Sequence, residues 1–561
     1  MRNTRNGLVL VAALAGVSCT AWGQGGRAGR AAAAQQQQGA PPAAQQAAPG
    51  GAAAAPGGRR GGAGAAAGGG ANEFYNYDPN AAGGMPVGEG APVETHGKVT
   101  VNGEAVAYTA RVGFLPLRNA TSGITEAHVF YTYYAKDGAT DRPLVFFLGG
   151  APGVASAWQE FGGLGPKRIR MAADGVITAP YTWVENPNTL LGAADLVFVN
   201  PVGTAFSRPD TPGRAAGFWN TTADTASLGE FVRGFSRTYS LTGSPVLLVG
   251  EDAGTGRASG VALYLHEHGI PVSGVALLSM TPSADAAAGD TQYITLFPSL
   301  VVAAWKHKKL APDMNNMSLE QIAGQARQFA SREYLHALYK ADRMTDAERT
   351  KVIADMARLT GVSKQFLVNN DLRITLDRFN GEILRDQHKG LSYSDARVAG
   401  FMPDTGGGGR GGGGGRGFGT PAPPLDLAMS TLTAPFQLGY EGYLRKELNY
   451  GGNSGGLYYL SSGGVEGFTA TGNDETSLSG AFARNPNLKL LVGINYYDLH
   501  SPFYATEYAL AHLNVSPEVR AHNIMVSHYE AGQLAYMDSK ALAKLQSDLA
   551  NLVAEATGGK K

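Results

Sequence analysis

The chain has 561 residues, of which 43% are hydrophobic and 16% are charged. Its 46 lysines and arginines balance 46 aspartates and glutamates, so the formal net charge is zero. This balance gives no electrostatic signal for binding nucleic acid or an anionic membrane. The length allows one large domain or several smaller ones.

The N-terminus has the pattern of an export signal. A basic segment at residues 1–6 precedes an apolar run at residues 8–17, which is too short to span a bilayer. A small-x-small site ends at Gly23, so residues 1–23 are predicted to be a cleaved signal peptide. The mature protein is then secreted or periplasmic and has no transmembrane segment. Lipid anchoring at Cys19, the only cysteine, is the alternative.

Two segments have a composition typical of unstructured chain. Residues 24–72 consist mostly of Ala, Gly, Gln and Pro, which bury too little apolar surface to offset the entropy of ordering. We predict a disordered tether there. Residues 401–425 are rich in glycine and are predicted to form a flexible loop. No strand leads into this loop and no Gly-Lys-Ser/Thr follows it, so a phosphate-binding loop is disfavoured.

The sequence between and after these segments alternates strand and helix patterns. Two alternating runs around Asn102-Gly103 predict a β-hairpin. Strand-like runs follow at residues 127–133, 143–148, 194–199, 246–249, 274–279, 488–492 and 524–528. Most of these runs are continuously apolar, as in strands covered on both faces. Residues 223–239 have the spacing of a helix that precedes the strand at 246–249, and residues 539–556 have that of a helix after the last strand. The pattern predicts an α/β fold with a mainly parallel central sheet flanked by helices.

The middle of the chain has a different character. Residues 291–400 show mainly helical spacing, and Ser318-x-x-Gln321 has the form of a capping box at a helix start. We predict an inserted helical cap here. The cap then separates a first part of the core, residues 93–290, from a second part, residues 426–557.

One stretch organises the functional interpretation. Residues 250–254, Gly-Glu-Asp-Ala-Gly, follow a predicted buried strand and precede a helical pattern. This is the G-x-S-x-G spacing of a nucleophile elbow, in which glycines permit a sharp turn. Asp252 occupies the position where a serine is expected. The elbow therefore carries either a different nucleophile or a site that has lost its reaction.

Six segments, in chain order, resemble motifs of the serine carboxypeptidase family of α/β-hydrolases, particularly its secreted bacterial branch. The segments are Gly149-Gly-Ala-Pro-Gly153, Phe161-Gly-Gly-Leu-Gly-Pro166, Asn200-Pro-Val-Gly-Thr-Ala-Phe-Ser207, Gly250-Glu-Asp-Ala-Gly254, Tyr496-Tyr-Asp-Leu499 and Tyr529-Glu-Ala-Gly-Gln533. The similarity extends from about residue 93 to 557. It implies an α/β-hydrolase fold, descent from peptide hydrolases and no cofactor.

The resemblance also assigns catalytic positions. Asp252 stands at the position of the family's serine nucleophile, and Gln533 stands at the position of its histidine base. Asp498 matches the aspartate that orients the histidine. Only this third member of the triad is retained.

The resemblance assigns binding positions as well. Ala151 and Ala253 stand where backbone N–H groups form the family's oxyanion hole. Glu251, Gly149 and Gly150 stand where the family binds the carboxylate of its substrate. Glu251 is retained, whereas Gly149 replaces an asparagine.

These departures predict an impaired enzyme. Serine catalysis needs a hydroxyl, a base that takes its proton and a group that orients the base. Asp252 supplies no hydroxyl, and the amide of Gln533 cannot shuttle a proton. We expect a pseudoenzyme that binds a peptide or small molecule in the inherited cleft. The Gln533 amide is expected to hydrogen-bond to Asp498 or Asp252.

Several alternatives remain open from the sequence. Asp252 could act as a carboxylate nucleophile, as in hydrolases that resemble haloalkane dehalogenases or epoxide hydrolases, but such enzymes need a histidine. His500 follows the Asp498 turn and could lie near the site, whereas His528 falls inside a predicted strand. An active serine-type peptidase with an altered mechanism and a structural, envelope-associated protein are further alternatives. The sequence leaves the oligomeric state open.

Other side chains have two interpretations each. Glu251, Asp252 and Asp498 could together hold a hard cation, although their spacing matches no recognised loop. Trp158 could line the cleft or pack in the core. Ser259 and Thr255 are expected to be hydroxyls that pack within the helix after the elbow.

Overall fold

A computed structural model describes residues 90–150, 153–172, 175–211, 213–401, 426–451, 460 and 474–558. The expected signal peptide, the tether and the glycine-rich loop after residue 401 lie outside these ranges. Their boundaries therefore stay predictions, as do those of the cap and the core. No helix within the described ranges is long and apolar enough to cross a membrane.

The strands of the described chain form one large sheet and two small ribbons. They are β1 Val93–Val101, β2 Glu104–Arg118, β3 Thr125–Lys136, β4 Leu144–Phe147, β5 Lys167–Ile169, β6 Trp183–Glu185, β7 Asp195–Val199, β8 Arg208–Pro209, β9 Val246–Glu251, β10 Val272–Leu278, β11 Gly390–Leu391, β12 Ala399–Gly400, β13 Lys489–Asn495 and β14 Ile524–Tyr529. The ribbons pair β5 with β6 and β11 with β12.

The large sheet has the strand order β1-β2-β3-β7-β4-β9-β10-β13-β14, with β8 paired to β3. Strands β1, β2, β3 and β7 pair in antiparallel fashion. From β7 onward every neighbouring pair is parallel. Antiparallel strands thus lie at the N-terminal edge, and the strands that lead to the predicted catalytic positions are all parallel.

The first hairpin shows how the sequence sets local structure. Asn102 and Gly103 have positive φ angles of 51° and 84°. Asparagine and glycine tolerate this region, and two such residues give the tight turn whose twist suits a hairpin. The predicted β1–β2 hairpin is confirmed.

Helices cover both faces of the sheet. They are α1 Ala157–Gln159, α2 Thr221–Thr238, α3 Gly254–Glu267, α4 Thr291–Lys306, α5 Leu319–Phe329, α6 Leu335–Lys340, α7 Asp346–Thr360, α8 Lys364–Asn369, α9 Leu376–Ile383, α10 Leu427–Lys446, α11 Asp474–Arg484, α12 Phe503–His512, α13 Pro517–His522 and α14 Ser539–Ala556. Helix α5 begins with the predicted capping box, in which Ser318 and Gln321 exchange side-chain and backbone hydrogen bonds.

Two apolar cores lie on the two sides of the sheet. Helices α2 and α3 contribute side chains such as Phe231 and Val261 to one core, which continues into helices α4–α9. Helix α14 contributes Leu545 and Leu549 to the other core, together with α10. The predicted mainly parallel sheet flanked by helices, the architecture of α/β-hydrolases, is confirmed.

Helix α10 was not anticipated by the sequence analysis, and it decides the role of Trp158. The Trp158 ring stacks on Phe436 of α10 with a centroid distance of 4.6 Å. Only 2% of Trp158 is exposed. Trp158 therefore packs in the core rather than lining a cleft.

Candidate active site

The predicted elbow is a strand, a sharp turn and a helix. Strand β9 ends at Glu251, helix α3 begins at Gly254, and Asp252 lies between them with a φ of 52°. A Cβ atom on Gly250 would lie 2.0 Å from the Gly254 carbonyl oxygen. A Cβ on Gly254 would lie 2.0 Å from the oxygen of Gly149. Both elbow glycines are therefore required by close backbone packing, and the predicted elbow is confirmed.

The parallel register gathers the predicted catalytic positions at one edge of the sheet. Leu278 at the end of β10 pairs with Glu251 on β9, and its oxygen accepts the N–H of Asp252 at 2.9 Å. On the other side, β13 and β14 end together at Asn495 and Tyr529. The turns that carry Asp252, Asp498 and Gln533 thus follow the carboxyl ends of β9, β13 and β14.

Asp498 is fully buried, and one of its oxygens is unpaired. Its Oδ1 accepts the N–H groups of His500 and Ser501 at 2.9 and 3.1 Å. No described group hydrogen-bonds to its buried Oδ2. In a serine triad this carboxylate accepts a hydrogen bond from the histidine. The unpaired oxygen is consistent with a lost histidine partner.

Gln533 is anchored through its backbone. Its N–H donates to the Ser394 oxygen at 2.6 Å, and its carbonyl accepts from Ser279 Oγ at 3.0 Å and Asn495 Nδ2 at 3.2 Å. The residue lines a cavity next to the site, and its amide makes no hydrogen bond to the described residues. The predicted bond from Gln533 to Asp498 or Asp252 is therefore wrong. The backbone is fixed by its neighbours, and in this conformation the amide is not hydrogen-bonded to the unpaired Asp498 oxygen.

Burial perturbs the carboxyl groups at this edge. Burial raises the pKa of Glu251 to about 8. A hydrogen bond from the Tyr536 hydroxyl, at 3.0 Å, opposes this shift, and the charges of Asp252 and Asp498 reinforce it. Burial also raises the pKa of Asp498 to about 8; the Ser501 N–H opposes this shift and the Asp252 charge reinforces it. Both groups are therefore largely protonated at neutral pH.

Asp252 directly precedes Ala253, a predicted oxyanion-hole position. Burial raises the pKa of Asp252, and the charge of His500 and the Ala253 backbone oppose that shift. A carboxyl group therefore lies next in sequence to the N–H that the resemblance predicts to stabilise a substrate oxyanion. The second predicted donor, Ala151, lies outside the described residues.

The glycine segment beside the elbow is held by a buried arginine. Arg257 on α3 donates to the oxygen of Leu148 at 2.9 Å and also to the oxygen of Gly150. The same guanidinium pairs with Asp224 through Nε and Oδ2 at 2.6 Å. Gly149, with a φ of 68°, lies between the two accepting carbonyls. Arg257 therefore fixes the backbone of the two glycines predicted to contact a substrate carboxylate.

This arrangement predicts a large stability effect. Arg257→Ala should lower the free energy of unfolding by about 3 to 5 kcal/mol, because it leaves the Asp224 carboxylate buried without its partner. Arg233→Ala is the matched control: Arg233 pairs with Glu230 on α2, and both side chains are at least one-third exposed. Its loss should cost less than about 1 kcal/mol. Urea unfolding measures the free energy of unfolding of both variants. Equal decreases in the two variants would contradict the role given to Arg257.

The histidines near the site differ in their surroundings. His528 Nε2 lies 2.7 Å from Glu507 Oε1, so its imidazole is engaged away from the elbow. His500 is close enough to Asp252 to lower its pKa electrostatically. Its side chain is 47% exposed, and its Nε2 lies 3.9 Å from Asp426 Oδ2. The charge of His500 thus acts on Asp252, whereas its imidazole is nearest to the Asp426 carboxylate and the Tyr393 ring.

A small polar network under the site was missed by the sequence analysis. Asn495 Nδ2 donates to Ser279 Oγ at 2.6 Å, and Ser501 Oγ donates to the Ser279 carbonyl at 3.0 Å. Ser279 has a positive φ of 50°, which is uncommon for a residue with a Cβ. The available signal was its position, at the end of the predicted strand at 274–279. These residues position the turns that carry Asp498 and Gln533.

Two further candidates, the hydroxyls of Thr255 and Ser259, have structural roles. Thr255 Oγ1 donates to the Asp252 oxygen at 2.7 Å, and Ser259 Oγ donates to the Thr255 oxygen at 2.8 Å. Both hydroxyls are bonded within the elbow and its helix, as expected. Within the described part of the chain, no cluster of three or more acidic, histidine or cysteine side chains is arranged to hold a metal ion.

The comparisons with known proteins agree with the class of site that this geometry defines. A family model described as serine carboxypeptidase matches residues 103–252, from the start of β2 to Asp252 of the elbow. The fold is that of an α/β-hydrolase. The likeness to that family covers residues 103–252, which is less than half of the chain.

Solved structures that resemble this chain are distant in sequence. A serine hydrolase from Cycloclasticus zankles is 12% identical, with 78% of this chain and 97% of that chain covered and a TM-score of 0.29. A carboxyl esterase from Bacillus coagulans is 11% identical, with coverage of 78% and 97% and a TM-score of 0.30. An enantioselective mutant of an epoxide hydrolase from Aspergillus niger is 10% identical, with coverage of 80% and 78% and a TM-score of 0.30.

Proposed function

We propose that this protein is a catalytically inactive, exported member of the serine carboxypeptidase family that binds a peptide or another small ligand in the inherited cleft. One observation carries the proposal. The elbow keeps its sharp turn, with a φ of 52° at residue 252, and presents there an aspartate, which has no hydroxyl. The residue at the nucleophile position therefore cannot carry out serine catalysis.

The proton-transfer chemistry supports the same conclusion. Gln533 carries no titratable nitrogen, and Asp498, which would orient a base, has an unpaired oxygen and a pKa of about 8. Loss of the serine or the histidine alone costs on the order of a millionfold in kcat in a well-studied protease. Both replacements occur here, in the turns that follow β9 and β14 at the same edge of the sheet.

Ligand binding is supported by the space beside these positions. A cavity of about 530 Å³ adjoins the edge and is lined in part by Gln533 and Leu534. Its size is within the range typical of small-molecule sites. The pattern of a signal peptide at residues 1–23 supports export.

Labelling with a fluorophosphonate probe tests the proposal. Because no serine stands at the elbow, the intact wild-type protein should show no labelled active-site serine by mass spectrometry. The Asp252→Ala variant is the matched control and should give the same result. Stoichiometric labelling of a single serine at this sheet edge in the wild type would overturn the proposal.

A second candidate function has one favourable observation. The charge of His500 lowers the pKa of Asp252, so an imidazole is near enough to influence this carboxylate. In an aspartate-nucleophile hydrolase, Asp252 would attack a carbon and displace a halide or open an epoxide to form an ester. His500 would then activate the water that cleaves the ester. Burial raises the pKa of Asp252, and this direction counts against the candidate because only the ionised carboxylate is a good nucleophile.

Mass spectrometry separates the two candidates. The His500→Gln variant should accumulate an adduct on Asp252 after incubation with 1-bromobutane or styrene oxide only if Asp252 is a nucleophile. We expect no adduct in the wild type or in this variant. His512→Gln is the control, because His512 bonds to the Tyr508 carbonyl of its own helix. An adduct on Asp252 in the His500 variant would establish the second candidate.

A further inference from the structure

Strand β14 forms one edge of the large sheet, and among the described strands it pairs with β13 alone. The carbonyl oxygens of Asn523, just before the strand, and Tyr529, at its end, accept N–H groups of β13 at 2.8 and 3.0 Å. Backbone polar groups alternate between the two sides of a strand. The N–H and C=O groups of residues 524, 526 and 528 therefore point away from β13, and no described residue bonds to them.

This open edge lacks the features that usually prevent strands from associating. Edge strands are commonly protected by charged side chains, proline or a bulge. Strand β14 reads Ile-Met-Val-Ser-His-Tyr, with no lysine, arginine, acidic residue or proline, and it pairs with β13 without a register shift. At the opposite edge of the sheet, β1 carries Glu94 and Lys98. Val526, in the middle of β14, is 46% exposed. Of the two edges, β14 is therefore the one suited to pairing with a further strand.

The open backbone groups are arranged symmetrically about Val526. In an antiparallel pair, two residues directly opposite each other can exchange both of their N–H···O=C bonds. When a second copy of β14 is placed antiparallel with Val526 opposite Val526, Ile524 of each copy lies opposite His528 of the other. All three open positions of each strand then meet a partner. The two Val526 side chains lie on the same face, with Cα atoms about 5.5 Å apart, and cover each other's exposed surface.

Charges at the two ends of β14 favour the same orientation. At the start of the strand, Arg520 is exposed, and Lys489 Nζ donates to the carbonyl oxygen of residue 522 at 2.9 Å. Directly after the strand, Glu530 is exposed. The nearby Arg397 is balanced by the carboxylates of two aspartates. An antiparallel pair places the acidic end of one copy against the basic end of the other, whereas a parallel pair would bring like charges together.

We propose that β14 pairs with β14 of a second copy of this chain, antiparallel and about a two-fold axis at Val526. The product is a dimer in which the two large sheets are continuous. A two-fold interface of this kind uses the same surface on both copies, which matches the symmetry of the open groups about one residue. This inference goes beyond the proposed function, because it holds whether or not the candidate site is active.

Sedimentation velocity of the full-length protein tests this interface. The wild type should convert from monomer to dimer as its concentration is raised from about 1 to 100 μM. Val526→Lys and Val526→Glu should each associate at least about tenfold more weakly, because each variant places two like charges face to face on the axis. An equimolar mixture of the two variants should form dimers again, because a lysine then faces a glutamate across the axis.

Ile124→Lys is the matched control for adding a charge at an exposed apolar position. Ile124 is 65% exposed and directly precedes β3, which is separated from β14 by five strands of the sheet. This variant should dimerise like the wild type. Circular dichroism checks that all variants are folded.

Three results would each overturn the proposed dimer. The first is a wild type that stays monomeric up to about 100 μM. The second is a Val526→Lys variant that dimerises like the wild type. The third is an equimolar mixture of Val526→Lys and Val526→Glu that associates no better than either variant alone, which would exclude a two-fold axis at residue 526.

Discussion

The double variant Asp252→Ser with Gln533→His is expected to hydrolyse p-nitrophenyl acetate at least about a hundredfold faster than the wild type. The scaffold for this reaction is retained. The elbow keeps its positive φ at position 252 and both of its packed glycines. The buried Asp498 oxygen has no partner among the described groups and is available to accept an imidazole N–H. Removing the Asp252 carboxylate also removes a potential negative charge from the place where a substrate oxyanion would form.

The single variants are the controls for this gain of activity. A serine without a base, or a histidine without a nucleophile, should add little, because triad members act as a unit. The double variant should also react with a fluorophosphonate at residue 252, whereas neither single variant should. If the double variant is no faster than the single variants, the side chains at positions 252 and 533 do not by themselves explain the loss of the reaction.

The second large effect concerns stability and pH. Asp498→Asn should raise the free energy of unfolding at pH 7.5, relative to the wild type, by up to about 5 kcal/mol. In the unfolded chain an aspartate ionises near pH 4, whereas folded Asp498 keeps its proton up to about pH 8. Between these values the folded state binds more protons than the unfolded state. Asp498 therefore makes wild-type stability fall as pH rises through this window.

Asparagine mimics the protonated acid and removes this dependence. Urea unfolding at pH 4.5, 6.0 and 7.5 should show a stability difference between variant and wild type that grows with pH, approaching about 1.4 kcal/mol per pH unit. Asp342→Asn is the control, because Asp342 is exposed, and its difference should stay near zero. A pH-independent difference for Asp498→Asn would show that folded Asp498 is ionised across this range.

Much of the fold followed from local sequence signals. Continuous apolar runs predicted the buried parallel strands, and Asn102-Gly103 predicted the first turn, because these signals depend on a few neighbouring residues. The elbow was predicted for the same reason, since the requirement for glycine at positions 250 and 254 is a matter of local backbone packing. Positions 252, 498 and 533 could be assigned to the nucleophile, acid and base of the triad because the motifs that contain them occur in the same order as in the family.

Features that depend on contacts between residues far apart in the sequence could not be predicted from the sequence. Helix α10 follows a glycine-rich segment, and its contact with Trp158 joins residues 278 positions apart, from 158 to 436. The side chain of Gln533 was expected at Asp498, yet backbone bonds to Ser394, Ser279 and Asn495 fix its position.

The most direct test of the central claim compares peptide hydrolysis by the wild type with that by Asp252→Ala. The substrate is an N-blocked dipeptide with a free carboxylate, assayed from pH 5 to pH 8 by release of the terminal amino acid. The account predicts equal background rates for the two proteins at every pH, because Asp252 contributes no catalysis and Gln533 supplies no base. A wild-type rate more than tenfold above that of Asp252→Ala would contradict it.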